Sequence, residues 1–141
     1  MRMTTMSGKT TNDVSGEEIK FVDLFSQQKV NQMKMLISGM YDDFKSPGTT
    51  FIPVDDMKLM SYHIQQLMSE IGEVLEADKR WKNIRNKRYS RADKLEEIAD
   101  CFIVMMNIAM FSGFDGDELQ KAILDKMNEV NRRLQDESFG I

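Results

Sequence analysis

Apolar residues return at intervals of three and four along four successive stretches of this chain, and no stretch alternates with a period of two. That spacing builds one face of a helix, so the expected fold is all-α, a four-helix bundle-like core. Leu24, Phe25, Val30, Met33, Leu36, Ile37, Met40 and Tyr41 set a first helix over about 22–44, ended by Ser46-Pro47-Gly48. Asp55 or Asp56 can cap a second, which carries Leu59, Met60, Ile64, Leu67, Met68, Ile71, Val74 and Leu75 and runs to about Trp81. Ser90 is the cap expected for a third, with Asp93 at its third position. There Leu95, Ile98, Phe102, Met105, Ile108 and Ala109 share a face, and Cys101, Ile103, Val104 and Met106 fill others, which predicts the most buried helix. Ser112-Gly113 stops it, and Asp115 with Glu118 reads as a reciprocal cap for the fourth. That last helix presents Leu119, Ala122, Ile123, Met127, Val130 and Leu134.

The chain has 141 residues, enough for one domain with a real core. A polar tail is expected over 1–19, the domain over 20–136 and a short tail over 137–141. No repeat of 20–50 residues is present, and the 13 Met read as core filler at helical spacing. One Cys and one His exclude a disulfide framework, a Cys-rich metal site and a multi-His site within one chain. Any resident metal must therefore be held mainly by oxygen, which favours magnesium, manganese or calcium.

A net charge of -4 is not the footprint of a nucleic-acid binder. The charge is uneven, however. From Lys79 to Lys94 eight basic residues (Lys79, Arg80, Lys82, Arg85, Lys87, Arg88, Arg91 and Lys94) stand against Asp93 alone, a net of +7. Such a strip suits a local anionic partner or is a solvated connector. The longest apolar run, Cys101 to Met106 resumed at Ile108 to Phe111, is too short to span a bilayer. No apolar leader segment follows Arg2 and Lys9, so no membrane partner and a cytoplasmic location are expected.

Two acidic pairs stand out. Glu70 and Glu73 are three residues apart on the second helix, and Glu97 and Asp100 repeat that spacing on the third. Each pair therefore shares a helical face, and each borders an apolar stripe. If the two helices pack antiparallel, four carboxylates converge. Left uncompensated, they would cost several kcal/mol in repulsion and desolvation. A hard divalent cation resolves the conflict, because Mg²⁺ takes oxygen ligands and keeps room for waters and substrate phosphates. Gly72, inside the second helix, is tolerable if something approaches the backbone closely there. Either pair alone would be ordinary solvated charge.

Glu-x-x-Glu, 23 intervening residues and then Glu-x-x-Asp resembles the motif of the MazG-like all-α nucleoside triphosphate pyrophosphohydrolases. Relatives of that group include dimeric dUTPases, dCTP pyrophosphatases and phosphoribosyl-ATP pyrophosphohydrolase. The resemblance covers about residues 57–134, including Glu97 to Phe111 followed by Gly113-Phe114-Asp115. It implies that Glu70, Glu73, Glu97 and Asp100 bind Mg²⁺, with Mn²⁺ as a substitute. The activity implied is hydrolysis of a nucleoside triphosphate to the monophosphate and pyrophosphate, with Glu73 orienting or deprotonating the water. It also implies a homodimer or homotetramer, and a Lys and an Asn of the last helix on the phosphates. Lys126 with Asn131 are the candidates, Asn128 being the alternative. Phosphoribosyl-ATP hydrolysis and a non-catalytic helical interaction module are the competing readings.

Further candidates come from the residues themselves. Lys79, Arg80 and Lys82 follow Glu73 closely enough to meet phosphates. His63 lies two turns before Glu70 and is either a base or phosphate contact or a buried packing residue. Trp81 could stack on a nucleobase or cover the edge of the core. Asn107, inside the apolar run, reaches either substrate or another helix. Cys101 reads as an inert buried thiol.

Overall fold

The computed structural model describes residues 18–43, 51–82 and 89–136. Nearly all of the 1–19 tail, the 137–141 tail and Ser46-Pro47-Gly48 lie outside the described residues, as do Arg85, Lys87 and Arg88 of the basic strip. Among the described residues the structure is all-α, without strands: α1 (Phe21–Ile37), α2 (Met57–Ala77), α3 (Arg91–Phe111) and α4 (Gly116–Asp136), with a 3₁₀ turn at Lys79–Lys82. No single helix among them is long and apolar enough to cross a membrane. By internal contacts the chain divides into two units, residues 28–113 and residues 1–27 with 114–141.

Local chemistry sets the helix ends. Asp55 sits in the left-handed region (φ 57) and gives its N–H to the Phe111 carbonyl at 2.8 Å. Asp56 is therefore the cap of α2, accepting from the backbone N–H of Lys58 and Leu59. Ser90 caps α3 by accepting from the Asp93 N–H at 3.2 Å. Asp115 and Glu118 exchange side chain-to-backbone bonds at the start of α4, a complete capping box.

Two helices are shorter than their apolar spacing suggests. α1 stops at Ile37, not near Phe44, because Gly39 takes φ +85. The Met40 N–H reaches the Met35 carbonyl and the Gly39 N–H the Leu36 carbonyl, the paired bonds of a Schellman stop. α2 ends at Ala77 instead of Trp81, where Asp78 turns extended (φ -140, ψ 93).

In the unit of residues 28–113, α2 and α3 pack antiparallel. The Asp55–Phe111 backbone bond closes one end of the pair, and an ion pair from Lys94 to Asp78 at 2.8 Å closes the other. The core lies at the first end: Leu36, Tyr41, Leu59, His63, Met110 and Phe111 are buried there. The Tyr41 hydroxyl donates to buried Gln32.

The expected inward stripe of α3 is corrected. Leu95 and Phe102 are 66% and 65% exposed, whereas Val104, Asn107 and Phe111 are buried. On α2, Ile64, Met68, Ile71 and Leu75 are likewise exposed, and Leu59 and His63 are buried. Each helix carries two stripes, and the one with more polar side chains faces the seam.

In the other unit, Phe25 is buried beside Gly116, where an added Cβ would come within 3.1 Å of the Phe25 side chain. Glycine at the first position of α4 allows that approach. Along α4, Ile123, Leu124, Met127 and Val130 are exposed.

Candidate metal centre

The seam between α2 and α3 positions the carboxylates. Glu70 falls on the stripe of α2 that includes Leu59 and His63, one helical step after Gln66. Glu97 and Asp100 fall on the stripe of α3 that continues through Val104, Asn107 and Phe111. Antiparallel packing brings the two sets level. Carboxylate oxygens of Glu70, Glu97 and Asp100 all lie within 4.8 Å of one another.

Gln66 Nε2 donates to Glu70 Oε1 at 3.1 Å. Glu70 Oε2 and Glu97 Oε2 are buried and have no hydrogen-bond partner among the described residues. Glu73 is exposed and stands outside the group of three, but it acts on it. Its carboxylate beside Glu70, followed by burial, holds the Glu70 carboxyl above the usual carboxylate range. Burial pushes the Cys101 thiol up, and Glu70, Asp100, Glu97 and Glu73 push it the same way. The thiol is therefore kept protonated and unreactive, and all four acids make one local field.

Two like charges at this separation repel by a few kcal/mol at the effective dielectric of a protein surface. Buried oxygens without donors add a desolvation penalty. The donor set is all oxygen and compact, and no cation pairs with it among the described residues, which fits a hard divalent cation such as Mg²⁺ or Mn²⁺.

The other sequence candidates separate into three groups. His63 and Asn107 belong to the core. His63 is 1% exposed among the rings of Tyr41, Tyr62 and Phe111, with Nε2 unpartnered, and burial pushes its pKa down to about 4. Asn107 accepts from Gln28 Nε2 at 2.8 Å, which is the helix-to-helix alternative. The basic residues after α2 are occupied locally: Lys79 pairs with Glu76, Arg80 with Asp78, and Lys82 lies 5.3 Å from the Trp81 ring centre. Trp81 Nε1 donates to the Leu75 carbonyl at 3.1 Å, satisfying an open carbonyl near the end of α2, while the ring stays exposed. In the second unit, Lys126 and Asn131 line one hollow on α4, together with Ile123, Met127 and Val130. Asn128 is not among its lining residues, and Lys126 Nζ pairs with Glu129 at 3.3 Å.

Gly72 has nothing within 4 Å of an added Cβ among the described residues, so close approach within this chain does not explain it. The sequence reading missed Asp78, a buried carboxylate holding two cations. Its signal was an acidic residue directly after an apolar helix and directly before Lys79-Arg80. Comparisons with protein-family models, with curated proteins and with solved structures find no match to the chain.

Proposed function

We propose that this protein is a divalent-metal-dependent hydrolase that cleaves nucleoside triphosphates to the monophosphate and pyrophosphate. The observation that carries the reading is the group of Glu70, Glu97 and Asp100, with a buried, unpartnered oxygen on each glutamate. Buried carboxylate oxygens left without donors in an acidic cluster are expensive unless they serve to hold something positive. The motif resemblance supplies the substrate class.

In this reading Glu70, Glu97 and Asp100 hold the cation, with Glu73 at its border. A cation held there would neutralise phosphate charge and make phosphorus more open to water. Glu73, exposed beside the group, orients the attacking water and accepts its proton. Water adds at the α-phosphorus, the anhydride bond to the β-phosphate breaks, and pyrophosphate leaves. No serine or cysteine nucleophile is needed, because phosphoryl transfer depends on positioning and charge neutralisation.

The exposed apolar stripes of α2 and α3 (Ile64, Met68, Ile71 and Leu75; Leu95, Phe102 and Met105) favour a homodimer or homotetramer. They are also the feature a non-catalytic helical interaction module would use.

Pyrophosphate release from a panel of canonical, deoxy and damaged triphosphates, with Mg²⁺ or Mn²⁺, tests the activity. Metal-dependent release is expected from the wild-type chain, and its loss from Glu97→Gln and Asp100→Asn with helix content kept. Equal release by both variants contradicts the assignment. Absence of release, with no stabilisation by either ion, favours the interaction module.

A further inference from the structure

We infer that Asp78 is a positioning residue for the acidic site: by clamping Lys94 and Arg80, it fixes the separation of α2 and α3 where Glu70, Glu97 and Asp100 meet. This rests on the reading of those three carboxylates as a cation site.

Asp78 is 8% exposed although it lies just beyond the end of α2. Its Oδ1 accepts from the Arg80 backbone N–H at 3.2 Å and from Arg80 Nε at 2.8 Å. Its Oδ2 accepts from Arg80 Nη2 and from Lys94 Nζ, each at 2.8 Å. The tie has two strands. One runs directly from Asp78 to Lys94, in the first turn of α3. The other runs through Arg80, whose guanidinium carbon lies 3.7 Å from the centre of the Tyr89 ring, next to the α3 cap Ser90. Lys94 is one helical turn before Glu97, and Asp78 is about two turns beyond Glu70.

The need for such a clamp follows from charge. Glu70 on one helix and Glu97 and Asp100 on the other repel, which drives the helices apart at that level. At the far end the helices are held by the Asp55–Phe111 backbone bond and by the His63 and Phe111 rings, 4.4 Å apart. At the near end the described tie is charge-assisted, and such hydrogen bonds are the stronger kind. Outer groups that hold ligands in place typically change metal affinity 10- to 100-fold when removed. Arg80 and Lys94 also hold the Asp78 carboxyl well below the usual carboxylate range, so the clamp stays charged at any pH at which the neighbouring acids bind a cation.

Mn²⁺ binding to the full chain, measured by calorimetry well below each variant's unfolding temperature, tests this. Asp78→Asn and Lys94→Met are each expected to weaken Mn²⁺ binding about tenfold, and the double variant no more than the worse single one. Lys94→Arg should stay within about threefold of wild type, since it keeps the charge and the donor. The sign for Lys94→Met is decisive. Removing a positive charge near a cation site would, through bulk electrostatics alone, tighten binding; the clamp requires it to weaken.

Metal-free unfolding temperatures separate the clamp from a merely structural role, which would lower stability but leave the affinity of the folded protein unchanged. Wild-type affinity in Asp78→Asn, tighter binding in Lys94→Met, or additive losses in the double variant would each overturn the inference while leaving the cation site standing. Should Asp78→Asn fail to fold, the two Lys94 variants decide. A wild-type chain that binds no Mn²⁺ overturns the cation reading and this inference with it.

Discussion

The two halves of the α2–α3 seam are built on opposite principles. At the end where α2 begins and α3 finishes, Leu59, His63, Tyr41 and Phe111 close into a buried cluster of rings and aliphatic carbon. A few turns away the same two helix faces present Glu70, Glu97 and Asp100, with two buried oxygens unpartnered. The first half gains stability from burial. The second gives some back and, in the proposed reading, gains a place for positive charge. The same pair of helices thus separates the work of holding the fold from the work of the site.

Substitutions at the two ends should therefore move stability in opposite directions. Phe111→Ala, at a fully buried ring, should destabilise the chain by about 3–5 kcal/mol in chemical denaturation. Glu97→Gln should instead raise the metal-free unfolding temperature, because it removes one of three crowded charges, and should abolish the stabilisation given by Mg²⁺ or Mn²⁺. A large destabilisation from Glu97→Gln would erase the contrast.

Acid should divide the ends as well. Burial holds His63 at about 4, below its ordinary 6.5, so the unfolded chain binds a proton that the folded chain refuses. Its contribution is intact above pH 6.5 and falls as the pH drops to about 4, a loss of about 3 kcal/mol. Glu70 has the reverse sign. Its folded pKa is raised, so its contribution is present below the ordinary carboxylate range and is lost as the pH rises through the raised value. Denaturation between pH 4 and 7 should show a flatter acid limb in His63→Leu. In Glu70→Gln, without metal, the loss on the alkaline side of the carboxylate range should disappear.

The smallest effect expected is at Gly72, which lies on neither inward stripe and has open space around an added Cβ. Gly72→Ala should stabilise the chain by about 0.5–1 kcal/mol in thermal unfolding. Destabilisation would mean that a second copy or a ligand approaches the backbone there.

Much of this architecture was legible in the sequence because caps are local. Asp56, Ser90 and the Asp115–Glu118 pair each announce a helix start within four residues. Glu70, Glu97 and Asp100 were legible as a group because helical spacing and an antiparallel turn suffice to bring them level. The facing of the helices was not. Ile64, Met68, Ile71 and Leu75 form a more apolar stripe than Leu59, His63, Gln66 and Glu70, so hydrophobic spacing ranks the wrong face of α2 inward. The early stop at Gly39 needs a single positive φ that the apolar spacing through Met40 and Tyr41 hides. At Asp78 the pairing with Arg80 is local, but the partner that makes it a link between helices, Lys94, reaches it only once α2 and α3 have docked.

Cation binding at the α2–α3 seam is read most directly from the anomalous scattering of manganese in crystals of the wild-type chain grown or soaked with Mn²⁺. A peak bounded by Glu70, Glu97 and Asp100 is expected, and its disappearance in Glu97→Gln. Well-ordered carboxylates at that seam with no peak between them, in crystals bathed in millimolar Mn²⁺, would contradict it.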